Sequence, residues 1–253
     1  MELAREKGLR VIEDGAQAIG AEYKGRACGT IGDFGAYSFF PSKNLGGFGD
    51  GGMLVTNDDT LAEQARVLRV HGSKPKYFHH FIGGNFRMDT IQCALLSVKL
   101  RHYATYTAQR QANAAHYTEE LLKLPGVVQA GPADGGCGAS QSGAENADGA
   151  RLILPVCFSG NTHIWNQYTI RVIGSGQRDA LRAHLEKLGI GCEIYYPLTL
   201  DQQPCFAHLP ERSRTGCTVS HRMAQEVLSL PIYGELTEAQ RNEVIAAIAA
   251  WLH

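Results

Sequence analysis

The sequence has no apolar run approaching the roughly 20 residues of a membrane-spanning helix. Its charges nearly cancel, with 24 Lys and Arg against 25 Asp and Glu and a formal net charge of −1. The first absence argues against a transmembrane helix. The second removes the basic surface that nucleic acid or an anionic membrane would demand. Cysteine occurs at positions 28, 93, 137, 157, 192, 205 and 217, an odd number without a C-x-x-C pair. That arithmetic disfavours a disulfide framework and fits free thiols in a reducing cytoplasm. Only His79 and His80 are adjacent among ten histidines, and no Cys/His spacing suits structural zinc, so no metal site is expected. A G-x-S-x-G elbow is missing too, which counts against Ser38 or Ser42 as a hydrolase nucleophile. Cys28 has no neighbour in the sequence that would obviously lower its pKa. Met1–Arg10 lacks the apolar centre of a signal peptide and reads as the end of an amphipathic helix.

What is present is ordinary globular material, 44% hydrophobic and 19% charged over 253 residues, enough for one large or two modest domains. Met1–Lys7 is helix-like, Gly8 sits at its C-terminal cap, and Leu9–Glu13 is an apolar run fit for a buried strand. Ala36–Phe40 and Met53–Thr56 read as further strands, and Asn57-Asp58-Asp59 caps a helix to about Val70. Helices are expected over Thr90–His102 and onward to about Leu124, where Pro125-Gly126 stops the second. Residues 131–150, rich in Gly, Ala and Ser, read as a flexible surface insertion. Arg151–Val156, Ile164–Ile173 and Gly191–Tyr196 look like strands. Gln177–Leu188, Thr218–Leu228 and Thr237–Leu252 look like helices, the last opened by a Thr237/Gln240 capping box. The alternation is α/β, with a large-domain portion over residues 1–105 and a smaller α+β domain over 106–253.

Four features of the first 90 residues invite a common explanation. Asp14 ends the first strand with Gln17 three residues on, and ligands of open parallel sheets sit outside the carboxyl ends of strands. An Asp capping a turn is the plainer alternative. Lys43 leaves an apolar strand through Ser38-Phe39-Phe40-Pro41-Ser42 into a glycine-rich loop. A nucleophilic lysine needs partial desolvation, although most single lysines are simply exposed. Gly47, Gly49 and Gly52 match G-x-G-x-x-G, but a strand-like run follows them, so the dinucleotide reading fails. The fourth feature is Gly84-Asn85-Phe86-Arg87-Met88-Asp89. Asn85 and Arg87 could face a phosphate or carboxylate there, and Asp89 could cap the next helix.

Taken together, residues 11–18 (VIEDGAQA), Gly32-Asp33, residues 38–52 (SFFPSKNLGGFGDGG) and residues 84–89 (GNFRMD) resemble the sugar-nucleotide aminotransferases of pyridoxal-phosphate (PLP) fold type I, the DegT/StrS-like family. The likeness continues through residues 163–168 (HIWNQY), Tyr195-Tyr196-Pro197 and Leu228-Ser229-Leu230-Pro231. It implies part of a PLP-binding large domain built on a mixed, mostly parallel sheet, followed by a smaller domain. By this resemblance Asp14 would pair with the pyridinium nitrogen, Gln17 with the ring oxygen and Ser38 with the phosphate. Lys43 would be the Schiff-base lysine and proton carrier. Asn85 would reach the cofactor phosphate of a neighbouring subunit, which implies a homodimer with shared active sites. Arg87, His163, Tyr195 and Tyr196 are candidate substrate contacts, while His163 as a strand histidine and the tyrosine pair as core and rim remain alternatives. The implied reaction turns the keto group of a nucleotide-linked sugar into an amine, with glutamate or glutamine as donor. Related dehydratases carry histidine at the lysine position, so Lys43 favours transamination.

Two departures stand beside the likeness. Family members carry a long segment before the strand that holds Asp14, so the chain reads as truncated at its N-terminus. Alone it would then expose sheet edges and bind PLP weakly. In addition, Asp201 stands where the family often has histidine. A catalytically inactive homologue with a regulatory or partner-binding role is the alternative. An amino-acid aminotransferase is disfavoured because Arg212, Arg214 and Arg222 lack the carboxylate-binding context.

Overall fold

A computed structural model describes residues 1–130, 149–210 and 216–253. Most of the expected insertion at 131–150 lies outside the described residues. The chain divides into two compact units, Met1–Ala108 with Ser159–Asn166, and Gln109–Phe158 with Gln167–His253. The return of Ser159–Asn166 to the first unit is absent from a simple two-part division of the sequence.

In the first unit, α1 (Glu2–Glu6) leads into β1 (Ile12–Asp14), which pairs parallel with β4 (Phe34–Ser38), with Asp14 opposite Ala36. β5 (Gly52–Val55) pairs antiparallel on the far side of β4, giving the order β1-β4-β5. The described sheet therefore holds one parallel and one antiparallel pairing, and the mostly parallel character expected from the sequence is not seen in it. β1 is shorter than the apolar run that announces it. The Val11 N–H is taken by the Asp33 carboxylate at 2.7 Å instead of by a strand. A second small sheet joins β2 (Glu22–Tyr23), β3 (Arg26–Ala27) and β8 (Asn161–Thr162), β2 and β3 being linked through Lys24 and Gly25, both at positive φ. That is the backbone a tight hairpin asks for.

α2 (Asp59–Leu68) begins as read, with the Asp58 carboxylate accepting from the Thr60 and Leu61 N–H groups at 2.8 and 3.0 Å. α3 (Thr90–Leu100) starts after Asp89, which makes no side-chain cap. α4 (Tyr103–Leu121) begins in the first unit and continues in the second. The first unit's core is small: Phe39, Leu45, Leu96 and Tyr103 are buried, with Ile19, Met88 and Tyr106 packed against them. Ile12, Met53 and Leu54 stand 69%, 47% and 58% exposed on strands, so this sheet carries apolar surface to solvent.

The second unit is better filled. Its sheet runs β10-β9-β7-β6, from β6 (Val127–Gln129), β7 (Leu152–Leu154), β9 (Tyr168–Val172) and β10 (Val227–Leu230). Tyr168, Ile170 and Val172 alternate inward along β9 as a half-buried strand should. They are buried together with Tyr117 and Leu121 of α4, Leu181 and Leu185 of α5 (Gln177–Lys187), and Val244 and Ile248 of α7 (Glu238–Leu252).

Two expectations are corrected here. Gly191–Tyr196 is not a strand, since only Glu193 bridges to Ser229. The helix expected to run to Leu228 ends as α6 (Thr218–Glu226), and the next four residues form β10 on the edge of β9. Pro231 disfavours helix at the residue before it. The carbonyls that the helix leaves at Ala224 and Val227 accept from the buried Arg178 guanidinium at 3.0 and 3.2 Å. The capping box of α7 is present, Thr237 Oγ1 accepting from the Gln240 N–H. Thr237→Ala should therefore lower stability by about 1 kcal/mol in urea unfolding.

Candidate active site

Glu13 and Asp14 are consecutive on β1, so their side chains leave opposite faces. Both oxygens of the Glu13 carboxylate are engaged by backbone: Gly29 N–H donates to Oε2 at 2.7 Å, and Ile31 and Gly32 N–H donate to Oε1 at 2.6 Å each. Burial works to raise its pKa, but these three donors outweigh burial and hold the group below the usual carboxylate range. Beside it the Tyr37 hydroxyl donates to the Cys28 carbonyl at 2.5 Å. A methyl group at Gly15 would come within 2.8 Å of the Tyr37 ring, so glycine is required for this close approach. The result is a stiff frame behind Asp14.

Asp14 itself is exposed, and its Oδ1 accepts from the Ala16 N–H at 3.0 Å. The turn-capping reading is thus correct as far as it goes, and it uses one of the two carboxylate oxygens. Gln17 follows in the same turn, exposed. Ser38 ends β4 two residues beyond Ala36, the partner of Asp14, so both lie at the same end of adjacent strands. Ser38 Oγ accepts from the Phe40 N–H at 3.2 Å.

The loop after β4 is closed by backbone. Lys43 N–H donates to the Phe40 carbonyl at 2.9 Å, Gly47 N–H to the Phe39 carbonyl at 2.7 Å, and Phe39 N–H to the Gly51 carbonyl at 2.8 Å. A methyl group at Gly46 would stand 2.2 Å from the Pro41 carbonyl oxygen, so the two ends of the Pro41–Gly46 turn touch. Lys43 sits inside that turn, half-buried.

Asn44, to which the sequence alone assigns no role, belongs to the same constellation. Its Nδ2 donates to the Ile164 carbonyl at 3.0 Å, while its Oδ1 is buried without a partner among the described residues. A buried, empty acceptor costs free energy unless a ligand or water completes it. The bond to Ile164 also ties the segment carrying His163 to the residue after Lys43. His163 Nδ1 accepts from the Trp165 N–H at 2.9 Å, its ring lies 4.2 Å from the Trp165 ring, and burial lowers its pKa.

Asn85 bridges to Val70, and its Oδ1 accepts from Arg87 Nε at 3.0 Å, so the two exposed residues pair with each other. Tyr195 and Tyr196 belong to the second unit, exposed, with ring centroids 5.7 Å apart and edge-on. Asp201 is there too, bonded to His221 at 2.6 Å; hydrogen bonds from Thr199 and His221 hold its pKa low. No group of three or more His, Cys, Asp or Glu among the described residues is placed to hold a metal ion. No described helix is long and apolar enough to cross a membrane.

A profile of the DegT/DnrJ/EryC1/StrS aminotransferase family matches residues 1–249, and the chain belongs to that family. Among its relatives, the chain is 45% identical over 247 residues to a pleiotropic regulatory protein of Geobacillus stearothermophilus, covering 98% of this chain and 59% of that one. It is 40% identical to the UDP-N-acetyl-3-dehydro-alpha-D-glucosamine 3-aminotransferase of Acidithiobacillus ferrooxidans, covering 100% and 60% of the two chains. Among solved structures, DesV of S. venezuelae, captured with a ketimine intermediate, matches with a TM-score of 0.82 and 37% identity, over 99% of this chain and 60% of that one. The chain thus spans about 60% of the length of the curated relatives it matches.

Proposed function

We propose that this chain carries the lysine-bearing part of a PLP-dependent aminotransferase that converts a keto group on a nucleotide-linked sugar to an amine. One observation carries the reading: a carboxylate ending a parallel strand, a hydroxyl ending its neighbour, and a half-buried lysine in the closed turn that follows. The residues present fit the cofactor chemically. Asp14 offers a free anionic oxygen to the ring nitrogen, Gln17 an amide to the ring oxygen, and Ser38 a hydroxyl to the phosphate, with Asn85 serving the phosphate of a second copy. The buried Asn44 Oδ1, next in the chain to the lysine and without a donor among the described residues, is an acceptor suited to a polar ligand.

Bound here, PLP would supply an aldehyde for amine exchange and a ring that withdraws electrons from the reacting carbon. Asp14 would keep the ring nitrogen protonated by charge pairing. Lys43 Nζ would hold the proton that passes to and from the substrate carbon. His163, Arg87, Tyr195 and Tyr196 are the proposed sugar-side contacts, with glutamate or glutamine as amino donor. Residues 1–105 would belong to the cofactor-binding domain and 106–253 to the smaller one, in a cytoplasmic homodimer.

The test is direct. The full-length protein, given PLP, glutamate and a UDP-linked 3-keto sugar, should form the amino sugar, seen by mass spectrometry. Failure across UDP-, dTDP- and GDP-linked keto sugars, with PLP bound, would sink the sugar assignment. A regulatory role without catalysis is the second reading, favoured by the 45% identity to the pleiotropic regulatory protein of Geobacillus stearothermophilus. In that case PLP would not label Lys43.

A further inference from the structure

Helix α3 packs along the glycine-rich segment that follows Lys43, and it does so through three residues on one stripe. Gln92, Leu96 and Lys99 are spaced i, i+4, i+7, which places them on a single helix face. Leu96 is buried between the other two, against Phe39 and Leu45. The polar pair flanking it reaches the loop backbone. Phe48 N–H donates to Gln92 Oε1 at 2.8 Å, and Lys99 Nζ donates to the Gly46 carbonyl.

The glycines make this approach possible. A methyl group at Gly47 or Gly49 would come within 2.9 Å of the Gln92 amide in each case. Gly46, the residue Lys99 grips, is also the residue whose Cα lies against the Pro41 carbonyl. The exit of the Pro41–Gly46 turn is thus pinned from one side by Pro41 and from the other by a helix. Lys43 is the residue held inside.

We propose that Gln92 and Lys99 are positioning residues for Lys43: they clamp the exit of its turn so that the amine is presented to the face shared by Asp14 and Ser38. The proposal rests on the PLP reading above. It assigns neither residue a contact with cofactor or substrate. Each acts through the loop backbone, Gln92 as acceptor and Lys99 as a charged donor, the stronger kind of hydrogen bond.

Two readouts on the full-length protein test it. One is the PLP concentration that half-saturates borohydride-trapped labelling of Lys43, measured by peptide mass spectrometry. The other is hydrogen exchange of the Gly47 and Phe48 amides without PLP. The double variant Gln92→Leu, Lys99→Met keeps side-chain bulk and removes both polar contacts. It should raise the half-saturating concentration about tenfold, the scale of one charge-assisted bond. It should also speed loop exchange while leaving β9 exchange unchanged. Gln92→Glu with Lys99→Arg, which keeps acceptor and cation, should restore both. Unchanged exchange overturns the proposal, and so does faster exchange without a shift in labelling. If the unmodified protein never labels at Lys43, the PLP reading falls instead, and exchange alone decides whether α3 holds the turn.

Discussion

Lys43→Ala is expected to lower the rate of the proposed transamination by about 10²- to 10⁴-fold, the scale of losing a positioned acid-base group. Folding stability should stay within roughly 0.5 kcal/mol, as for substitutions away from core and caps. The two expectations rest on different atoms. The backbone bond that shapes the turn, from Lys43 N–H to the Phe40 carbonyl, survives alanine unchanged. The loop's closure depends on Phe39, Gly46 and Gly51, not on the lysine side chain. What alanine removes is the only amine inside the turn. Lys43→Arg should be just as inactive, because a guanidinium stays protonated and cannot act as a nucleophile. Measuring product formation and urea midpoints for both variants checks the pair of claims. An alanine variant that turns over at the parent rate would remove Lys43, and the proposed reaction with it.

The second large effect belongs to a residue outside the chemistry. Glu13→Ala should destabilise the first unit by about 3 kcal/mol, because three inward N–H groups lose one charged acceptor. Trp165 lies in that unit, so its fluorescence in a Trp251→Phe background follows the right transition. The pH dependence has a definite sign. The folded pKa of Glu13 is held below its ordinary value. Its contribution is therefore complete above the unfolded value of about 4.3 and fades as pH falls through the lower folded value. The gap between parent and Glu13→Ala should be wide at pH 7 and shrink below about pH 4. A gap that stays constant to pH 3 would mean that the carboxylate's charge is not what holds the 29–32 loop.

Much of the fold could be read where side chains act on nearby backbone. The Asp58 cap of α2 and the Thr237/Gln240 box of α7 are local chemistry, and both stand where the sequence puts them. The place of Asp14 at a strand end and of Lys43 in a turn after a strand is legible for a similar reason, whereas the strand read as Ala36–Phe40 in fact ends at Ser38. β10 was not legible. Val227–Leu230 is an apolar run that fits a helix end as well as a strand, and only its pairing with β9 decides. Glu13 gave no sign of its role because its partners are backbone amides 16 to 19 residues away, and a backbone donor leaves no mark in residue type. Asn44 was hidden in the same way, its acceptor lying 120 residues downstream at Ile164.

The interleaving of the two units constrains how this protein can be cut. A fragment ending at Ala108 would lose β8, the third member of the β3-β2-β8 sheet, and also the carbonyl on which Asn44 rests. Swapping the second unit between relatives would likewise need three junctions, not one. The stretch 159–166 has to travel with the lysine-bearing half, so chimaeras should be spliced around it as an island.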